Sequence, residues 1–386
     1  MSNYPLATST WDEEELNAIQ SVIDSDKFTM GQFVNTFENN FGKFIKRKYC
    51  VMVSSGSAAN LLSIASLFYT KKPRLKIGDE VIVPAVSWST TFFPLQQFGL
   101  KLKFVDIDLN TLNYDLDSLV SSISPNTRMI VAVNLLGNPN DFDKINNIIK
   151  NKNIILFEDN CESLGAEFRG KQTGTFGLLG TFSTYFSHHI STMEGGFVTT
   201  DNEELYHILL SIRAHGWTRN LPKKNLVANK SDDWFEESFR FVLPGYNVRP
   251  VEMSGAIGLK QLEKLPGFLK KRRENANLFV NLFKDHPDFI IQKEIEKSSW
   301  FGFSLIIKPG SKKKRSDIIN ILEKNKIEYR PIVTGNFVKN DVLKYFDYSI
   351  HKELKNADHL HGNGFFVGNS HEDLSKNIEF LKKILS

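Results

Sequence analysis

A chain of 386 residues with 41% apolar and 24% charged residues can bury a large core, which excludes a fibrous or disordered protein. Its net charge of +4 is too small to indicate a nucleic-acid-binding protein. Two cysteines, Cys50 and Cys161, cannot form a disulfide framework or by themselves hold an iron–sulfur cluster, and they fit a reducing cytoplasm. The sequence contains no signal-peptide pattern and no apolar run long enough to cross a bilayer, so we expect no membrane partner.

The first part of the chain predicts an α/β fold. The opening segment TWDEEELNAIQSVI predicts a helix capped by Ser9 or Thr10. Seven short apolar runs then alternate with helical stretches: YCVMVSS, EVIVPA, KLKFVDI, RMIVAVNLL, NIILFED, LGTFSTYF and GGFVTT. Most of these runs are continuously apolar, which is typical of parallel strands covered on both faces. We therefore predict a large three-layer α/β domain over residues 1–245, with a seven-stranded and mostly parallel sheet.

From about Tyr246 the pattern changes. A long helical stretch runs from about Pro250 toward Phe283, with Pro266–Gly267 as a candidate break. Three isolated strands follow among helices: FGFSLIIK, IEYRPIV and GFFVGN. Residues 246–386 are therefore predicted to form a smaller α+β domain.

Two stretches place ligand-binding groups directly after predicted strands. In VSSGSAANLL a Ser/Gly turn leads into a helix, where free N–H groups at Gly56, Ser57 and Ala58 form a natural phosphate cradle. Trp88 follows the strand EVIVPA, where an aromatic ring can cover one face of a flat heterocycle. Taken alone, a capped helix explains the Ser/Gly turn equally well, and packing in the core or at its rim explains Trp88 better than a ligand does.

The stretch FEDNCESLGAE places two carboxylates at a strand end. The run NIILF delivers Asp159 to the carboxyl edge of the sheet, where ligands of open α/β sheets bind. A carboxylate there can hold a pyridine nitrogen protonated, which makes the ring an electron sink. Glu162 is close enough in sequence to hydrogen-bond a ring substituent or a substrate. Helix capping is the structural alternative for either residue.

The loop FSTYFSHHISTMEGG combines hydroxyls, imidazoles and a glycine pair. Ser183 offers a hydroxyl to a phosphate, and His188 or His189 offers an imidazole. Because adjacent side chains point in different directions, we expect at most one of these histidines to face a site. Further along, Asn247 precedes a helix with a small-residue face, and its amide can donate to an anion.

These stretches, in this order, resemble the fold-type-I, pyridoxal-phosphate-dependent sugar aminotransferases of the DegT type. The resemblance covers nearly the whole chain and implies a homodimer with active sites at the subunit interface. The family's cofactor positions correspond here to Gly56, Ser57 and Ser183 at the phosphate, Trp88 stacked on the ring, Asp159 at the pyridine nitrogen, Glu162 at a Gln-type position beside the ring, and Asn247 from the other subunit.

His188 departs from the family pattern. Members that transfer amino groups have lysine there, six residues before the position of Glu194. Imidazole cannot form a Schiff base, so the cofactor would be held without a covalent bond, yet imidazole is a competent general base near neutral pH. His188 is therefore the predicted catalytic residue. The family's deoxysugar 3-dehydratases share this histidine, and the CDP-linked members that use an iron–sulfur cluster are disfavoured because the chain has only two cysteines.

The resemblance implies a reaction and its partners. We expect a lyase that uses pyridoxal and pyridoxamine 5'-phosphate to remove the C3 hydroxyl of a GDP-linked 4-keto-6-deoxy sugar, of the mannose type or a 6-deoxy-4-keto-heptose. The product would serve lipopolysaccharide or capsular polysaccharide synthesis, L-glutamate would be the amino donor, and no iron–sulfur reductase would be needed. Candidate substrate contacts in two loops that resemble the family's sugar-nucleotide loops are His215, Arg219, Glu328 and Arg330.

Two other functions stay open. A nucleotide-sugar 4-aminotransferase would need another lysine that reaches the cofactor, and Lys171 is the nearest one in sequence to the loop. A non-catalytic pseudoenzyme that binds a sugar nucleotide would share the missing lysine. It would give no reason for Asp159, Ser183 and Trp88 to remain together.

Overall fold

The computed structural model describes residues 3–386. Its strands are β1 (Tyr49–Val53), β2 (Glu80–Pro84), β3 (Lys101–Val105), β4 (Thr127–Val133), β5 (Ile155–Asp159), β6 (Glu167–Phe168), β7 (Lys171–Gln172), β8 (Leu179–Ser183), β9 (Gly196–Thr200), β10 (Phe289–Ile291), β11 (Gly302–Ile307), β12 (Tyr329–Arg330), β13 (Tyr348–Ile350) and β14 (Gly364–Gly368). Its α-helices are α1 (Glu13–Ser25), α2 (Gln32–Ile45), α3 (Gly56–Phe68), α4 (Ser89–Gln97), α5 (Leu116–Ser122), α6 (Phe142–Ile149), α7 (Glu203–Ile212), α8 (Trp234–Ser238), α9 (Glu252–Phe283), α10 (Arg315–Lys324), α11 (Lys355–Asn363) and α12 (Ser375–Leu385).

The large sheet has the order β1-β9-β8-β5-β4-β2-β3-β13. Strand β9 runs antiparallel to β1 and β8, and the other neighbouring pairs are parallel. The seven predicted runs form seven of these strands, which confirms the mostly parallel α/β sheet. The predicted number of strands is one too few, because β13 joins the edge with Tyr348 opposite Leu102 of β3.

Helices cover both faces of this sheet, as β1 illustrates. Val51 and Val53 pack in one core cluster with residues of α3, α4 and α7, whereas Cys50 and Met52 pack in another with residues of α2 and α9. Strand β4 divides in the same way between the first cluster and a third one that contains residues of α5 and α6. Both faces of these two strands are therefore buried, which explains their continuous apolar runs and confirms the three layers.

The smaller sheet has the antiparallel order β10-β11-β14-β12 and packs against residues of α9, α10 and α12. The predicted C-terminal strands correspond to β11, β12 and β14, and β10 is additional. Helix α9 continues through Pro266 without the predicted break. The division into residues 1–245 and 246–386 stays a prediction. Elements cross this boundary in both directions, since Tyr4 belongs to the core of the smaller sheet and β13 to the large sheet.

The first helix begins later than predicted. Its N-cap is Asp12, and Asp12 and Glu15 form a capping box, so the predicted cap at Ser9 or Thr10 is wrong. Thr10 is buried instead, and its hydroxyl donates to the side-chain oxygen of Gln261 at 2.6 Å. The N-terminal segment is thereby attached to α9.

Candidate active site

A cavity of about 830 Å³ opens at the carboxyl edge of the large sheet. Strands β1, β2, β5 and β8 run in the same direction, so the residues at or after their carboxyl ends converge on this edge. Arg330 and Phe366 of the smaller sheet and N-terminal residues 5–7 line the cavity as well. It therefore lies where ligands of open α/β sheets bind.

Gly56 begins α3 in close contact with the neighbouring strand ends. A Cβ atom at this position would lie 2.8 Å from Cβ of Ser183 and 2.9 Å from Sγ of Cys161. Any other residue would therefore displace the cavity wall. Glycine lets the first turn of the helix approach the sheet directly.

The first turn of α3 presents free backbone donors. The hydroxyl of the N-cap residue Ser55 accepts the N–H of Ala58 at 3.1 Å. Ala58 was predicted to offer a free N–H to a ligand, and this prediction is wrong. The N–H groups of Gly56 and Ser57 lie at the positive end of the helix, where no intrahelical carbonyl can accept them. Together with the buried Ser183 hydroxyl, they form an arrangement suited to a phosphate.

Asp159 ends β5 as a buried carboxylate surrounded by donors. Its Oδ2 accepts from Nδ2 of Asn60 at 2.9 Å and from the hydroxyl of Thr91 at 2.7 Å, while its Oδ1 accepts from the backbone N–H of Cys161 at 3.2 Å. The Asn60 amide is itself oriented by the hydroxyl of Thr181 at 2.7 Å. Three donors therefore fix the position of this carboxylate at the cavity, where it can pair with a protonated ring nitrogen.

Trp88 and Glu162 line the same cavity. The Trp88 side chain is 56% exposed just before α4, so one face of its indole is free to cover a flat ligand. Glu162 accepts the backbone N–H of Leu136 at 3.0 Å. Burial, and secondarily the charge of Asp159, raise the pKa of Glu162 to about 7, so part of its population can donate a hydrogen bond at neutral pH.

The two adjacent histidines occupy different environments. His188 lines the cavity, and its imidazole Nδ1 has no hydrogen-bond partner among residues 3–386. His189 is fully buried, and its Nε2 lies 3.1 Å from the carbonyl oxygen of Ser299. Desolvation, and secondarily the charge of Arg272, lower the pKa of His188 to about 3. Its imidazole is therefore neutral at physiological pH, with a lone pair available to accept a proton.

The predicted substrate contacts fall into two groups. Glu328 and Arg330 line the cavity, and a carboxylate oxygen of Glu328 accepts the N–H of Leu6 at 2.9 Å. His215 and Arg219 do not line it within this chain, and neither does Asn247, which was predicted to bind the cofactor from the other subunit. The guanidinium of Arg219 stacks over the ring of Trp217 at 4.3 Å, and Asn247 is solvent-exposed, where its Oδ1 accepts from Nε of Arg249 at 3.0 Å.

The sequence analysis did not identify the residues that surround Asp159 and His188. Asn60, Thr91 and Thr181 surround Asp159, and Arg272 lies near His188. Asn60 carried a signal, because a polar amide inside an otherwise apolar helical run is costly to bury without a partner. The other three carried none, because their roles depend on contacts between distant segments.

Lysine is absent from the cavity wall described by residues 3–386. Lys171 lies elsewhere, with its ammonium 4.8 Å from the ring centre of Phe176. In the same described range, no three or more His, Cys, Asp or Glu side chains are grouped to hold a metal ion. No helix between residues 3 and 386 has the length and apolarity needed to span a membrane.

Comparison with known proteins agrees with this geometry. The profile of the DegT/DnrJ/EryC1/StrS aminotransferase family matches residues 9–376. The chain is 63% identical to the GDP-4-keto-6-deoxy-D-mannose 3-dehydratase of Escherichia coli O55:H7 over 387 aligned positions, which cover 100% of both chains. Its fold matches a crystal structure of GDP-4-keto-6-deoxymannose-3-dehydratase with a trapped PLP–glutamate geminal diamine, with a TM-score of 0.99, 62% identity and full coverage of both chains.

A second crystal structure is equally similar. It is an H188N mutant of GDP-4-keto-6-deoxymannose-3-dehydratase with bound GDP-perosamine, and it matches with a TM-score of 0.99, 63% identity and full coverage of both chains. The family profile and the full-length identity confirm the resemblance inferred from the motifs. The chain therefore belongs to the DegT/DnrJ/EryC1/StrS aminotransferase family.

Proposed function

We propose that this chain is a pyridoxal-phosphate- and pyridoxamine-phosphate-dependent 3-dehydratase. Its substrate would be a GDP-linked 4-keto-6-deoxy sugar, a hexose of the mannose type in the first place and a 6-deoxy-4-keto-heptose in the second. The observation that carries the proposal is His188 in a cavity whose described wall contains no lysine. The three relatives named above support the same reaction, since all of them are GDP-4-keto-6-deoxymannose 3-dehydratases.

The cavity residues fit the cofactor by their chemistry. Gly56, Ser57 and Ser183 would bind its phosphate, since a Cβ at Gly56 would fill the cradle. Trp88 would cover its ring, and Asp159 would hold its pyridine nitrogen protonated. When bound in its amine form, the cofactor supplies the nitrogen that condenses with the sugar's C4 ketone and a ring that accepts electrons.

Glu162 would donate to a substituent of the cofactor's ring. Its Oε2 is fixed by the N–H of Leu136, so the carboxyl group has a defined orientation. With a pKa of about 7, a larger fraction of Glu162 is protonated at neutral pH than of an ordinary carboxyl group, and the protonated form can donate such a hydrogen bond.

His188 would move the proton that the dehydration requires. Its neutral imidazole would remove a proton from the C4' carbon of the cofactor. The imidazolium formed in this desolvated position is a strong acid, because burial disfavours its charge. It would therefore return the proton readily, in the first instance to the C3 oxygen as the C3–O bond breaks.

The overall reaction balances with L-glutamate as the reductant. Glutamate is oxidised to 2-oxoglutarate, and its two electrons reduce the sugar when the C3–O bond is replaced by a C3–H bond. The nitrogen leaves as ammonia after hydrolysis of the product, because no lysine is placed to displace it. The 4-keto-3,6-dideoxy sugar formed would serve surface polysaccharide synthesis in the cytoplasm.

We further propose that the protein acts as a homodimer. Asn247 would then reach the cofactor of the partner subunit, and His215 and Arg219 would contact the partner's sugar nucleotide. Their position outside the cavity of their own chain, with Asn247 exposed, supports this arrangement.

Mass spectrometry of products tests the proposed function. The purified protein is incubated with pyridoxal phosphate, L-glutamate and, separately, GDP-linked 4-keto-6-deoxy-hexose and heptose substrates. We expect the loss of one oxygen from one of these sugars, and no such loss with the His188→Asn variant. Gain of an amine would instead indicate a 4-aminotransferase. If glutamate also failed to change the absorbance of the bound cofactor, the protein would be a non-catalytic binder.

A further inference from the structure

Arg272 is a buried cation without an acidic partner. Its side chain is only 4% exposed, and no carboxylate among residues 3–386 forms an ion pair with it. Its Nη1 donates to the carbonyls of Trp300, Phe301 and Asn369 at 3.4, 3.2 and 2.9 Å. Burial lowers the pKa of Arg272 to about 10, so it stays charged at neutral pH. A buried charge is costly, and neutral donors could bind these carbonyls, so the charge itself needs an explanation.

The guanidinium is connected to His188 through Phe301. The ring of Phe301 contacts the imidazole of His188 edge to face, with 5.1 Å between ring centres, and it also contacts His189 at 5.9 Å. Because Nδ1 of His188 has no hydrogen-bond partner, the orientation of the imidazole depends on packing against Phe301 and Tyr185, whose ring centre is 5.8 Å away. Arg272 binds the backbone carbonyl of Phe301 and so fixes the position of the Phe301 ring.

The charge of Arg272 acts on the same imidazole. The other titratable or charged groups of the cavity wall and its loop are Asp159, Cys161, Glu162, Tyr185, His189, Glu194, Glu328 and Arg330. Apart from burial, the charge of Arg272 is what lowers the pKa of His188. The adjacent Arg273 lacks this effect on His188, although its charge does affect His189.

We propose that Arg272 is a positioning residue for His188. It acts through Phe301, whose backbone it binds and whose ring packs against the imidazole, and through its own unpaired charge. This inference rests on the proposed role of His188 as the base. A positive charge behind the imidazole leaves it free to accept the C4' proton. It then favours the release of that proton to the departing oxygen.

Titration of His188 by NMR in cofactor-free protein tests the proposal without using catalysis. The chain is labelled with ¹³C/¹⁵N-histidine, His188→Asn assigns the resonance, and pH is lowered to the onset of unfolding. In Arg272→Gln, which keeps amide donors but removes the charge, we expect His188 to titrate about one pH unit higher than in the parent. Identical curves in the two proteins, whether flat or not, would overturn the role of the charge.

Arg272→Lys tests the effect that acts through Phe301 and covers the case in which Arg272→Gln does not fold. An ammonium keeps the charge but cannot bind three carbonyls in the same geometry. The titration should stay as in the parent, while the ring-current shift of the His188 resonance changes because Phe301 moves. An unchanged resonance would contradict the role of the contact between Phe301 and His188.

Arg273→Gln is the matched control. Its guanidinium donates to the carbonyls of Ser298 and Gly165 at 3.0 and 2.7 Å, one residue away in the same helix. The His188 titration should not change in this variant, and an equal effect would show that the effect is not specific to Arg272. A protein that fails to produce the dideoxy sugar but shows the Arg272→Gln shift would refute the proposed function and leave only the effect of Arg272 on the His188 imidazole established.

Discussion

The side-chain amide of Asn60 donates to the carboxylate of Asp159 across 2.9 Å and joins helix α3 to the end of β5. The same carboxylate oxygen accepts from Thr91 in α4 at 2.7 Å. Asp159 is therefore oriented by two helices that begin at the cavity. Its direction is set before any ligand binds.

Thr91→Val should weaken cofactor binding about tenfold or more. The substitution removes one donor to a buried carboxylate with little change in shape, and hydrogen bonds to charged groups contribute about 1.5–3 kcal/mol. Fluorescence titration with pyridoxamine phosphate measures the change. Thr199→Val is the control, because its hydroxyl donates to the carbonyls of Gly174 and Gly180, away from the carboxylate. Equal losses in both variants would contradict the assignment.

Gly56→Ala should impair phosphate binding more than stability alone explains. The added Cβ would lie within 3.0 Å of Ser183 and Cys161, so the first turn of α3 must move away from the sheet. Gly267→Ala is the matched control, since no atom lies within 4 Å of the new Cβ and the exposed helical position should gain up to about 1 kcal/mol. Thermal unfolding and a titration with pyridoxal phosphate are compared in both variants. Normal phosphate affinity in Gly56→Ala would argue against the cradle.

Mixed dimers should reveal whether Asn247 serves the partner's site. Co-expression of Asn247→Ala and His188→Asn chains forms heterodimers in which one site is intact. With random pairing, about a quarter of wild-type sites should be restored, although each variant alone is impaired. Co-expression of His188→Asn with Asp159→Ala should restore none, because each site takes both residues from one chain. Dehydratase assays of the co-purified dimers measure this rescue. Absence of rescue in the first pair would show that Asn247 does not serve the partner's site.

Glu162 should make the cofactor-free protein less stable as pH rises from about 5 to 7. Its pKa is about 7 in the folded protein and ordinarily 4.5, so in this interval the folded state binds a proton that the unfolded chain has released. Stability therefore falls with rising pH, relative to Glu162→Gln, which cannot titrate. Urea unfolding at both pH values measures the difference. The exposed Glu263→Gln controls for charge removal, and a pH-independent difference between parent and Glu162→Gln would contradict the assignment.

Much of the large sheet could be predicted because most of its seven predicted runs are continuously apolar. Strand β13 could not, since three exposed residues, Tyr348 to Ile350, show no periodicity and pair with a strand far away in sequence. The continuity of α9 through Pro266 was missed because packing along the rest of the helix outweighs one lost backbone donor.

Candidate site residues were predictable where they follow strand ends. Gly56, Trp88, Asp159, Glu162, Ser183 and His188 all line one cavity, as do Glu328 and Arg330. Arg272 could not be found in this way. Its three acceptor carbonyls come from two segments of the smaller sheet, and in the sequence it is one of several basic residues in a helical stretch. Its importance depends on burial, which a run of charges does not indicate.

The edge position of β13 has a consequence for the order of folding during synthesis. Until residue 350 leaves the ribosome, β3 has an open side along which another nascent chain can pair. Charges oppose such pairing: Lys103 is bound to Glu80 at 2.7 Å, and Lys101 lies at the same edge. Translation of the segment that contains β13 closes this edge of the sheet, and a truncated chain that ends before β13 should aggregate more during expression than the full chain.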